Sequence, residues 1–374
     1  MSESAKILIV DDSRVFRSIL EKMIANIPGV QVVGTVDSGL AALEFLKIRP
    51  VDLMTLDVEM PGMDGLATLK KMLASKGELK SSPDVLMVSS LTRTGSDITL
   101  KALECGAFDF IAKPAPEIPN SQESLNRMLN TTISAWVSRK NRGGTAPTRT
   151  SVHPAAATAA GAGAAAGFTY TLAKPSVHTK PIQAIVIGVS TGGPKSLADM
   201  LPKLCSMTDL PILLVQHMPP NFTKSLADSL NAKCNHTVVE GLPGTVVEDK
   251  TVYIAPGGCH MVVNSRGAHY VLDNNNNPPE NGCRPSVDVL FRSAAQAYPA
   301  DTLVGVILTG MGNDGTPSLQ YLKNKNAYLI AQDEESSVVF GMPRAAAATG
   351  LLDKVATLIR IPEAIVERIN LGRK

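Results

Sequence analysis

A long central stretch of the chain constrains its fold more than any other feature. Residues 141–181 consist mainly of Ala, Gly, Pro, Thr and Ser and contain very few large apolar side chains. Such a segment buries too little apolar surface to offset the conformational entropy that is lost when a chain becomes ordered. We therefore predict a flexible linker over 141–181, with one domain before it (1–140) and another after it (182–374).

Charge and cysteine usage narrow the class of protein. The 36 basic and 34 acidic residues give a formal net charge of only +2, which argues against nucleic-acid binding. The five cysteines occur singly and form no CxxC pair, which indicates a reducing compartment. Because we find neither a signal peptide nor an apolar run of about 20 residues, we expect a cytoplasmic protein without membrane insertion. We also expect a monomer.

The first domain alternates short apolar runs with amphipathic stretches. Strands are predicted at 7–10, 30–36, 53–56, 85–88 and 108–111, and a helix over 122–140 closes the unit. Strands that alternate with helices form a parallel sheet covered on both faces. The pattern therefore predicts a doubly wound α/β domain.

The second domain shows the same alternation of predicted strands and helices after the linker. Strands are predicted at 184–187, 211–216, 251–255, 303–308 and 327–331, with an inserted β-hairpin that pairs 261–264 with 269–272. Helices are predicted to begin near Lys195, Thr223, Ser286, Thr316 and Pro362. This pattern predicts a second doubly wound α/β domain, interrupted by the hairpin.

Charged and polar side chains follow several strands of the first domain. Asp11 and Asp12 come after the first strand and Asp57 after the third, so their carboxylates are expected to meet at one sheet edge. A cluster of carboxylates suits Mg²⁺, which prefers oxygen ligands. Ser89 ends the fourth strand and Lys113 follows the fifth, and a bound phosphate attracts such a hydroxyl and such an ammonium.

Each of these residues also has an ordinary interpretation. Asp12 or Ser13 could serve only as the N-cap of the next helix. Lys113 could be an ordinary lysine of a loop. The combination of ILIVDDS, LMTLDVEMPGMDGL, VSS and KP, however, resembles a bacterial response-regulator receiver domain of the flavodoxin-like fold. That resemblance implies phosphorylation of Asp57 by a CheA-type histidine kinase. It also implies Mg²⁺ on Asp12 and Asp57, helped by Asp11 and the Glu59 backbone, with Ser89 and Lys113 as switch residues.

The second domain begins with a candidate nucleophile. Its first strand leads into the sequence GVSTG at 188–192, which matches the G-x-S-x-G pattern of a strand-to-helix turn and places Ser190 at that turn. Taken alone, this motif is equally typical of a phosphate-binding or merely tight turn. A nucleophilic serine also needs a base and an orienting acid.

Two histidines compete for the role of base, and one acid completes the set. His217 ends the strand 211–216, whereas His260 lies in the loop sequence APGGCHM. Asp314 lies in the Gly-rich loop TGMGNDG after the strand 303–308. Asp314 either caps the following helix or orients the histidine. Since Ser190, His217 and Asp314 all follow strands at the same sheet edge, we predict that they form a catalytic triad.

The order Ser, His, Asp differs from the α/β-hydrolase order of Ser, acid, His. The strings IVIGVSTGGPKSL, LLVQHMPPNFTKSLADSL, YIAPGGCHM, CRPSVDVLF, ILTGMGNDG and QDEESSVVFGMPRAA resemble the catalytic domain of the CheB family of chemoreceptor protein-glutamate methylesterases. The resemblance implies hydrolysis of glutamate methyl esters on methyl-accepting chemotaxis proteins, and deamidation of receptor glutamines, for adaptation in chemotaxis.

The expected chemistry follows from the triad and needs no cofactor. Ser190 attacks the ester, His217 transfers the proton and Asp314 orients His217. The backbone amides of Thr191 and Met311 are candidate oxyanion donors because of where they lie in the two loops. We further expect the unphosphorylated receiver to act as a lid that phosphorylation of Asp57 releases.

Three other functions fit parts of the sequence. The first is a DNA-binding response regulator. The weak net charge and the absence of a short helix-turn-helix output domain argue against this function. The second is a receiver-controlled hydrolase of a small ester. The third is a scaffold that binds receptors without chemistry, which has no need of all three triad residues.

Overall fold

The computed structural model describes residues 4–75, 77–114, 121–141, 164–165, 168–174 and 176–372. The chain forms two compact units, each built around its own parallel sheet. Within the described ranges, no helix is both long and apolar enough to cross a lipid bilayer.

The N-terminal unit contains a five-stranded parallel sheet with strand order β2-β1-β3-β4-β5. The strands are β1 (Ala5–Val10), β2 (Val30–Val36), β3 (Leu53–Asp57), β4 (Asp84–Ser89) and β5 (Asp109–Ala112). The helices are α1 (Arg14–Ala25), α2 (Gly39–Ile48), α3 (Gly65–Ala74), α4 (Arg93–Cys105) and α5 (Ser121–Asn141). Helix α1 packs against α5, while α3 packs against α2 and α4. The predicted α/β class and all five predicted strands are confirmed.

The helix after β1 shows how the sequence sets these elements. Ser13 caps α1, because its hydroxyl accepts a hydrogen bond from the amide of Phe16 at 3.3 Å. Leu20 and Ile24, one turn apart, are buried. The helix therefore begins right after Asp11 and Asp12, and those acids stay at the carboxyl end of β1.

The C-terminal half contains a seven-stranded parallel sheet with strand order β10-β11-β9-β8-β14-β15-β16. Its strands are β8 (Ala184–Val189), β9 (Ile212–Gln216), β10 (Thr237–Glu240), β11 (Thr251–Ile254), β14 (Leu303–Ile307), β15 (Tyr328–Gln332) and β16 (Lys354–Ala356). Two short pairs lie outside this sheet, β6 (Ala164–Ala165) with β7 (Phe168–Thr169) and the hairpin β12 (His260–Arg266) with β13 (His269–Asn275). The predicted hairpin is thus present and is longer than expected.

Six α-helices and a 3₁₀ turn surround this sheet in the part of the chain that the structure describes. They are α6 (Gly193–Met207), α7 (Phe222–Asn231), α8 (Val287–Ala297), α9 (Leu319–Asn324), α10 (Met342–Ala348), the turn Leu358–Arg360 and α11 (Ile361–Leu371). Helix α8 packs between the hairpin and strand β8, with Leu290, Phe291 and Ala294 buried in the core. The hairpin therefore extends the core instead of standing free.

The sequence missed two edge strands and one helix and displaced another helix, and it predicted neither the β6–β7 pair nor the 3₁₀ turn. Strand β10 and strand β16 lie at the two edges of the sheet, where half-exposed residues leave no continuous apolar run. Helix α10 is short and was also not predicted. The helix expected near Thr316 begins at Leu319, because the preceding residues form a turn in which Gly315 adopts a φ of +88°.

Most of the linker predicted over 141–181 lies outside the described residues, and both of its described ends are ordered. Asn141 is the last residue of α5. Near the other end, the amides of Thr179 and Lys180 donate to Asp301 Oδ2 at 2.7 and 3.0 Å, and His178 Nδ1 lies 2.6 Å from Asp301 Oδ1. A buried carboxylate therefore anchors the C-terminal end of this segment.

Candidate functional site

The N-terminal unit gathers two buried carboxylates and an ammonium at the carboxyl edge of its sheet. Asp11 follows β1, Asp57 ends β3, and both side chains are almost fully buried. Lys113 follows β5, and its Nζ lies 2.8 Å from an oxygen of each acid. The sequence prediction that these strand ends converge is thus matched by the geometry of the sheet.

These acids form an oxygen cluster that fits a hard divalent cation. One oxygen from each of Asp11, Asp12 and Asp57 lies within 4.8 Å of the others. Burial, reinforced by Asp11, raises the pKa of Asp57 to about 6 even though Lys113 and the Glu59 amide lower it. One ammonium therefore does not fully compensate the buried charge, and an all-oxygen donor set of this kind suits Mg²⁺.

Ser89 lies at the same edge of the sheet. It is the last residue of β4, where it pairs in register with Ala112 of β5, one residue before Lys113. Its side chain is buried, and its hydroxyl donates to the carbonyl of Ser90 at 3.2 Å. The structure thus places Ser89 at the sheet edge that carries Asp57 and Lys113.

In the C-terminal unit, three adjacent strand ends carry the predicted triad. Strand β8 lies between β9 and β14, so the loop of Ser190 lies between the loops of His217 and Asp314. The amide of Ser190 donates to the carbonyl of Thr309 at 3.0 Å, and the amide of His217 donates to that of Val189 at 3.1 Å. Backbone hydrogen bonds therefore fix the spacing of the three loops.

His217 and Asp314 are in direct contact. The distance from His217 Nε2 to Asp314 Oδ2 is 2.7 Å, and both side chains are largely buried. Burial alone lowers the pKa of His217, but the hydrogen bond with Asp314 and the nearby Cys283 outweigh burial and raise it. The Ser190 hydroxyl forms no hydrogen bond to His217 among the residues that the structure describes. Since Nε2 faces the acid, Nδ1 is the nitrogen left to accept a proton.

The Asp314 carboxylate is surrounded by hydrogen-bond donors. The five groups are His217 Nε2, the Val287 amide at 2.7 Å, the Ser286 hydroxyl at 2.8 Å, Asn281 Nδ2 at 3.1 Å and the Asp288 amide at 3.2 Å. Two of these donors are the first amides of α8, where the helix dipole also favours a negative charge. Burial opposes ionisation, yet these bonds lower the pKa of Asp314. Asp314 is therefore a fixed anion.

A second acid adjoins this network. Asp288 is buried and accepts hydrogen bonds from Asn281 Nδ2 at 2.8 Å and from the amide of Ser318 at 2.8 Å. Burial and the charge of Asp314 raise the pKa of Asp288. The single amide group of Asn281 thus bridges two buried carboxyl groups and limits their repulsion.

Glycines allow α8 to approach the sheet closely enough to reach Asp314. A Cβ atom on Gly188 would lie 2.4 Å from Val287 Cγ1, and one on Gly315 would lie 2.6 Å from the same atom. Val287 is also the residue whose amide bonds Asp314 Oδ2. The glycine at 188 therefore makes room for the helix that bonds Asp314, although it lies close to Ser190 in sequence.

The turn around Ser190 leaves backbone amides available. Gly192 has a φ of +75°, and helix α6 begins at the next residue. The amides of Thr191 and Met311 donate to no protein acceptor within the described part of the chain, and both residues flank the loops that carry Ser190 and Asp314. These are the two amides that the sequence analysis named as candidate oxyanion donors.

His260, the competing candidate base, has a structural role. It is fully buried, its Nε2 lies 3.1 Å from the carbonyl of Pro278, and its Nδ1 accepts from the amide of Ser286 at 3.2 Å. Both ring nitrogens are thus occupied. His260 fixes Ser286, and Ser286 in turn donates to Asp314.

The sequence analysis did not assign Asn281, Cys283 or Ser286 to the site. All three lie in the loop between the hairpin and α8, which does not follow a strand of the main sheet. Cys283 Sγ lies 3.6 Å from His217 Nδ1. The run CRPSVDVLF was the one available signal, since a polar loop that leads into an apolar helix places donors at the helix N-terminus.

Comparison with known proteins identifies relatives of both units. The family model described as CheB methylesterase matches residues 185–365, and that of the response regulator receiver domain matches residues 7–120. A protein-glutamate methylesterase/protein-glutamine glutaminase of Desulfotalea psychrophila is 40% identical over 372 residues, which cover 99% of this chain and 100% of the relative.

Two further proteins are similar to this chain. A protein of Burkholderia pseudomallei with the same description is 43% identical over 370 residues, which cover 99% of this chain and 97% of the relative. The crystal structure of the Thermotoga maritima CheB methylesterase catalytic domain is 40% identical, with a TM-score of 0.48, and the match covers 50% of this chain and 98% of that one.

Proposed function

Because the chain belongs to the CheB family of protein-glutamate methylesterases/protein-glutamine glutaminases, we propose that it hydrolyses glutamate methyl esters on chemoreceptors with Ser190, His217 and Asp314. We further propose that phosphorylation of Asp57 activates this reaction. The contact that carries the first proposal is the 2.7 Å hydrogen bond between His217 and Asp314, formed beside the strand end that bears Ser190.

The first half of the reaction forms an acyl-enzyme. Ser190 Oγ attacks the ester carbonyl and transfers its proton to Nδ1 of His217, since Nε2 is bound to Asp314. The bond between Ser190 and His217 is made when substrate binds, as catalytic hydrogen bonds often tighten only in the complex. The ionised Asp314 stabilises the imidazolium that results. The amides of Thr191 and Met311 hold the oxyanion.

The second half releases the products. His217 returns its proton to the departing methoxy group, which leaves as methanol, and then activates the water that hydrolyses the acyl-enzyme to glutamate. The same intermediate forms from a glutamine side chain when ammonia leaves in place of methanol. One site therefore supports both esterase and deamidase activity.

The N-terminal unit supplies the regulation in this proposal. Asp57 accepts a phosphoryl group from a CheA-type histidine kinase, and Lys113 and Ser89 bind the phosphoryl oxygens. Asp11, Asp12 and Asp57 would hold Mg²⁺, which would supply positive charge beside the phosphoryl group. The phosphoryl group adds roughly 1.5–2 negative charges next to Lys113, which is enough to bias a two-state element. We place the protein in the cytoplasm, together with its kinase and the receptor domains that it modifies.

Methanol release from methylated chemoreceptor tests both proposals, with and without a small phosphodonor and Mg²⁺. Ser190→Ala is expected to lower the rate by about 10³-fold or more. Ser206→Ala is the matched control, since Ser206 is exposed on the helix that follows Ser190. The nucleophile assignment is wrong if Ser190→Ala retains the wild-type rate.

The receiver proposal has its own pair of variants. Asp57→Ala is expected to lose only the increase in rate that the phosphodonor causes. Asp37→Ala is the control, because Asp37 is an exposed acid that follows the neighbouring strand β2. If Asp57→Ala still responds to the phosphodonor, Asp57 does not carry the phosphoryl group.

A further inference from the structure

Two metal-binding side chains face each other at the edge of the esterase site. Cys283 Sγ lies 3.6 Å from His217 Nδ1. We propose that Cys283 and His217 together bind a soft divalent cation such as Zn²⁺, and that this cation reversibly inhibits hydrolysis. Binding requires only the two side chains, whereas inhibition rests on the proposed role of His217 as the base.

The separation of the two atoms matches a shared zinc ion. Zinc binds cysteine sulfur at about 2.3 Å and histidine nitrogen at about 2.0–2.1 Å, usually with tetrahedral geometry. Those bond lengths and a tetrahedral angle give a sulfur-to-nitrogen distance of about 3.5 Å. The observed 3.6 Å therefore requires almost no movement of either side chain.

The imidazole is held in the orientation that a metal ligand needs. Its Nε2 donates to Asp314, so in the neutral ring the lone pair lies on Nδ1, which faces Cys283, and a cation that binds there displaces the proton of the charged ring. A carboxylate on the far nitrogen of a metal-bound histidine fixes the tautomer and makes the ring a better ligand. Asp314 is already engaged by its donors, so it supports the site through His217 and leaves other coordination positions to water.

Hydrogen bonds also hold the backbone of Cys283 in place. The amide of Cys283 donates to the carbonyl of Glu280 at 2.8 Å, and the amide of Glu280 donates back to Cys283 at 3.1 Å. This tight turn holds the half-buried thiol beside His217. Neither ligand has to become ordered on binding, which lowers the entropic cost.

The chemistry of the donors selects the cation. Among the described residues, two groups of three metal-binding side chains come together. Only the group of His217, Cys283 and Asp314 contains sulfur and nitrogen donors. Thiolate and imidazole favour zinc and similar soft ions, whereas the oxygen cluster of Asp11, Asp12 and Asp57 favours Mg²⁺. The two units thus bind different cations, so each site can be loaded separately.

Zinc at this position removes the base. The cation occupies the Nδ1 lone pair that accepts the proton of Ser190, and its removal by a chelator restores that lone pair. Inhibition is therefore reversible and does not change the covalent structure of the protein.

The experiment uses the full-length chain, stripped with a chelator and kept in excess Mg²⁺. Co²⁺ is the spectroscopic probe, because thiolate ligation gives a near-ultraviolet charge-transfer band, and Zn²⁺ is the inhibitor in the methanol assay. We compare wild type with Cys283→Ser and Cys283→Ala. Cys259→Ser is the matched control, since Cys259 is also a half-buried thiol of the same unit.

We expect a thiolate band and zinc inhibition in wild type and in Cys259→Ser. Both Cys283 variants should lose the band, and their half-inhibitory zinc concentration should rise by about tenfold or more, because the soft ligand is gone. Circular dichroism verifies that each variant is folded, and zinc inhibition is expressed relative to each variant's own zinc-free rate.

Unchanged zinc inhibition in both Cys283 variants would overturn the site. A Cys283-dependent band together with full activity at saturating zinc would overturn the inhibition but not the binding. If wild type releases no methanol even without zinc, the proposed function fails, and the cobalt band still decides whether the metal site exists.

Discussion

The two units place their functional residues at the same topological position but use opposite chemistry there. In the N-terminal sheet, the chain leaves β1 and β3 in opposite directions, and Asp11 and Asp57 lie at that switch point. In the C-terminal sheet, the corresponding neighbours are β8 and β14, which lead to Ser190 and Asp314. The crevice outside such a switch point is the usual ligand site of open α/β sheets.

The difference lies in how each unit treats its buried carboxylate. Asp57 has few donors, and burial raises its pKa to about 6. Asp314 has five donors, and its pKa is lowered despite burial. A buried carboxylate with few hydrogen-bond donors is suited to bind a cation and accept a phosphoryl group. A carboxylate whose oxygens are all hydrogen-bonded is suited to orient another residue.

The same substitution at the two acids gives the sharpest contrast. Asp314→Asn keeps the shape of the side chain but removes the charge and disturbs the tautomer of His217. We expect the hydrolysis rate to fall by about 10⁴-fold, the effect of the equivalent change in a serine protease. Asp57→Asn should leave the unstimulated rate intact and abolish the response to phosphodonor. Steady-state methanol release, with and without phosphodonor, measures the rate of each variant. An equal loss of the unstimulated rate in the two variants would contradict the different roles assigned to Asp57 and Asp314.

A smaller effect is expected from the amide that bridges Asp314 and Asp288. Asn281→Ala removes hydrogen bonds to two carboxyl groups while four other donors to Asp314 remain. We expect kcat to fall by roughly tenfold, as for one hydrogen bond to a charged group, with little change in KM. Asn276→Ala, an exposed asparagine of the preceding loop, is the control. A change confined to KM would assign Asn281 to substrate binding.

The smallest effect concerns packing beneath the triad. Gly188→Ala forces a Cβ atom toward Val287 and so displaces the helix that bonds Asp314. We expect a loss of about 1–3 kcal/mol in the free energy of unfolding, as for other overpacked positions. Gly77→Ala, where a Cβ meets open space, should change it by less than about 0.5 kcal/mol. Urea denaturation followed by circular dichroism compares the two, and equal stability would mean that the helix adjusts without cost.

The sequence predicted those parts of both sites that follow strands of a main sheet. Asp57 ends a buried strand, Ser190 and His217 follow buried strands directly, and Asp314 lies in the loop after another. The parallel topology therefore brings these residues to the carboxyl edge of their own sheet. The edge strands β10 and β16 escaped prediction because their residues are partly exposed.

The supporting residues could not be predicted in the same way. Asn281, Cys283 and Ser286 reach the site because α8 packs between the hairpin and β8, which is a tertiary contact without a local sequence pattern. His260 illustrates the same limit, since its burial and two hydrogen bonds, and not its neighbours in sequence, exclude it as the base. The anchor at Asp301 likewise depends on residues far apart in the chain.

Labelling with a fluorophosphonate, followed by peptide mass spectrometry, tests most directly whether the His217–Asp314 pair activates Ser190. The reagent reacts with an activated serine and leaves one covalent adduct. We predict a single adduct on Ser190 in wild type and in Asp57→Asn, and greatly slowed labelling in Asp314→Asn. An adduct on another residue such as Cys283, or equally fast labelling of Ser190 in Asp314→Asn, would contradict the assignment of this site.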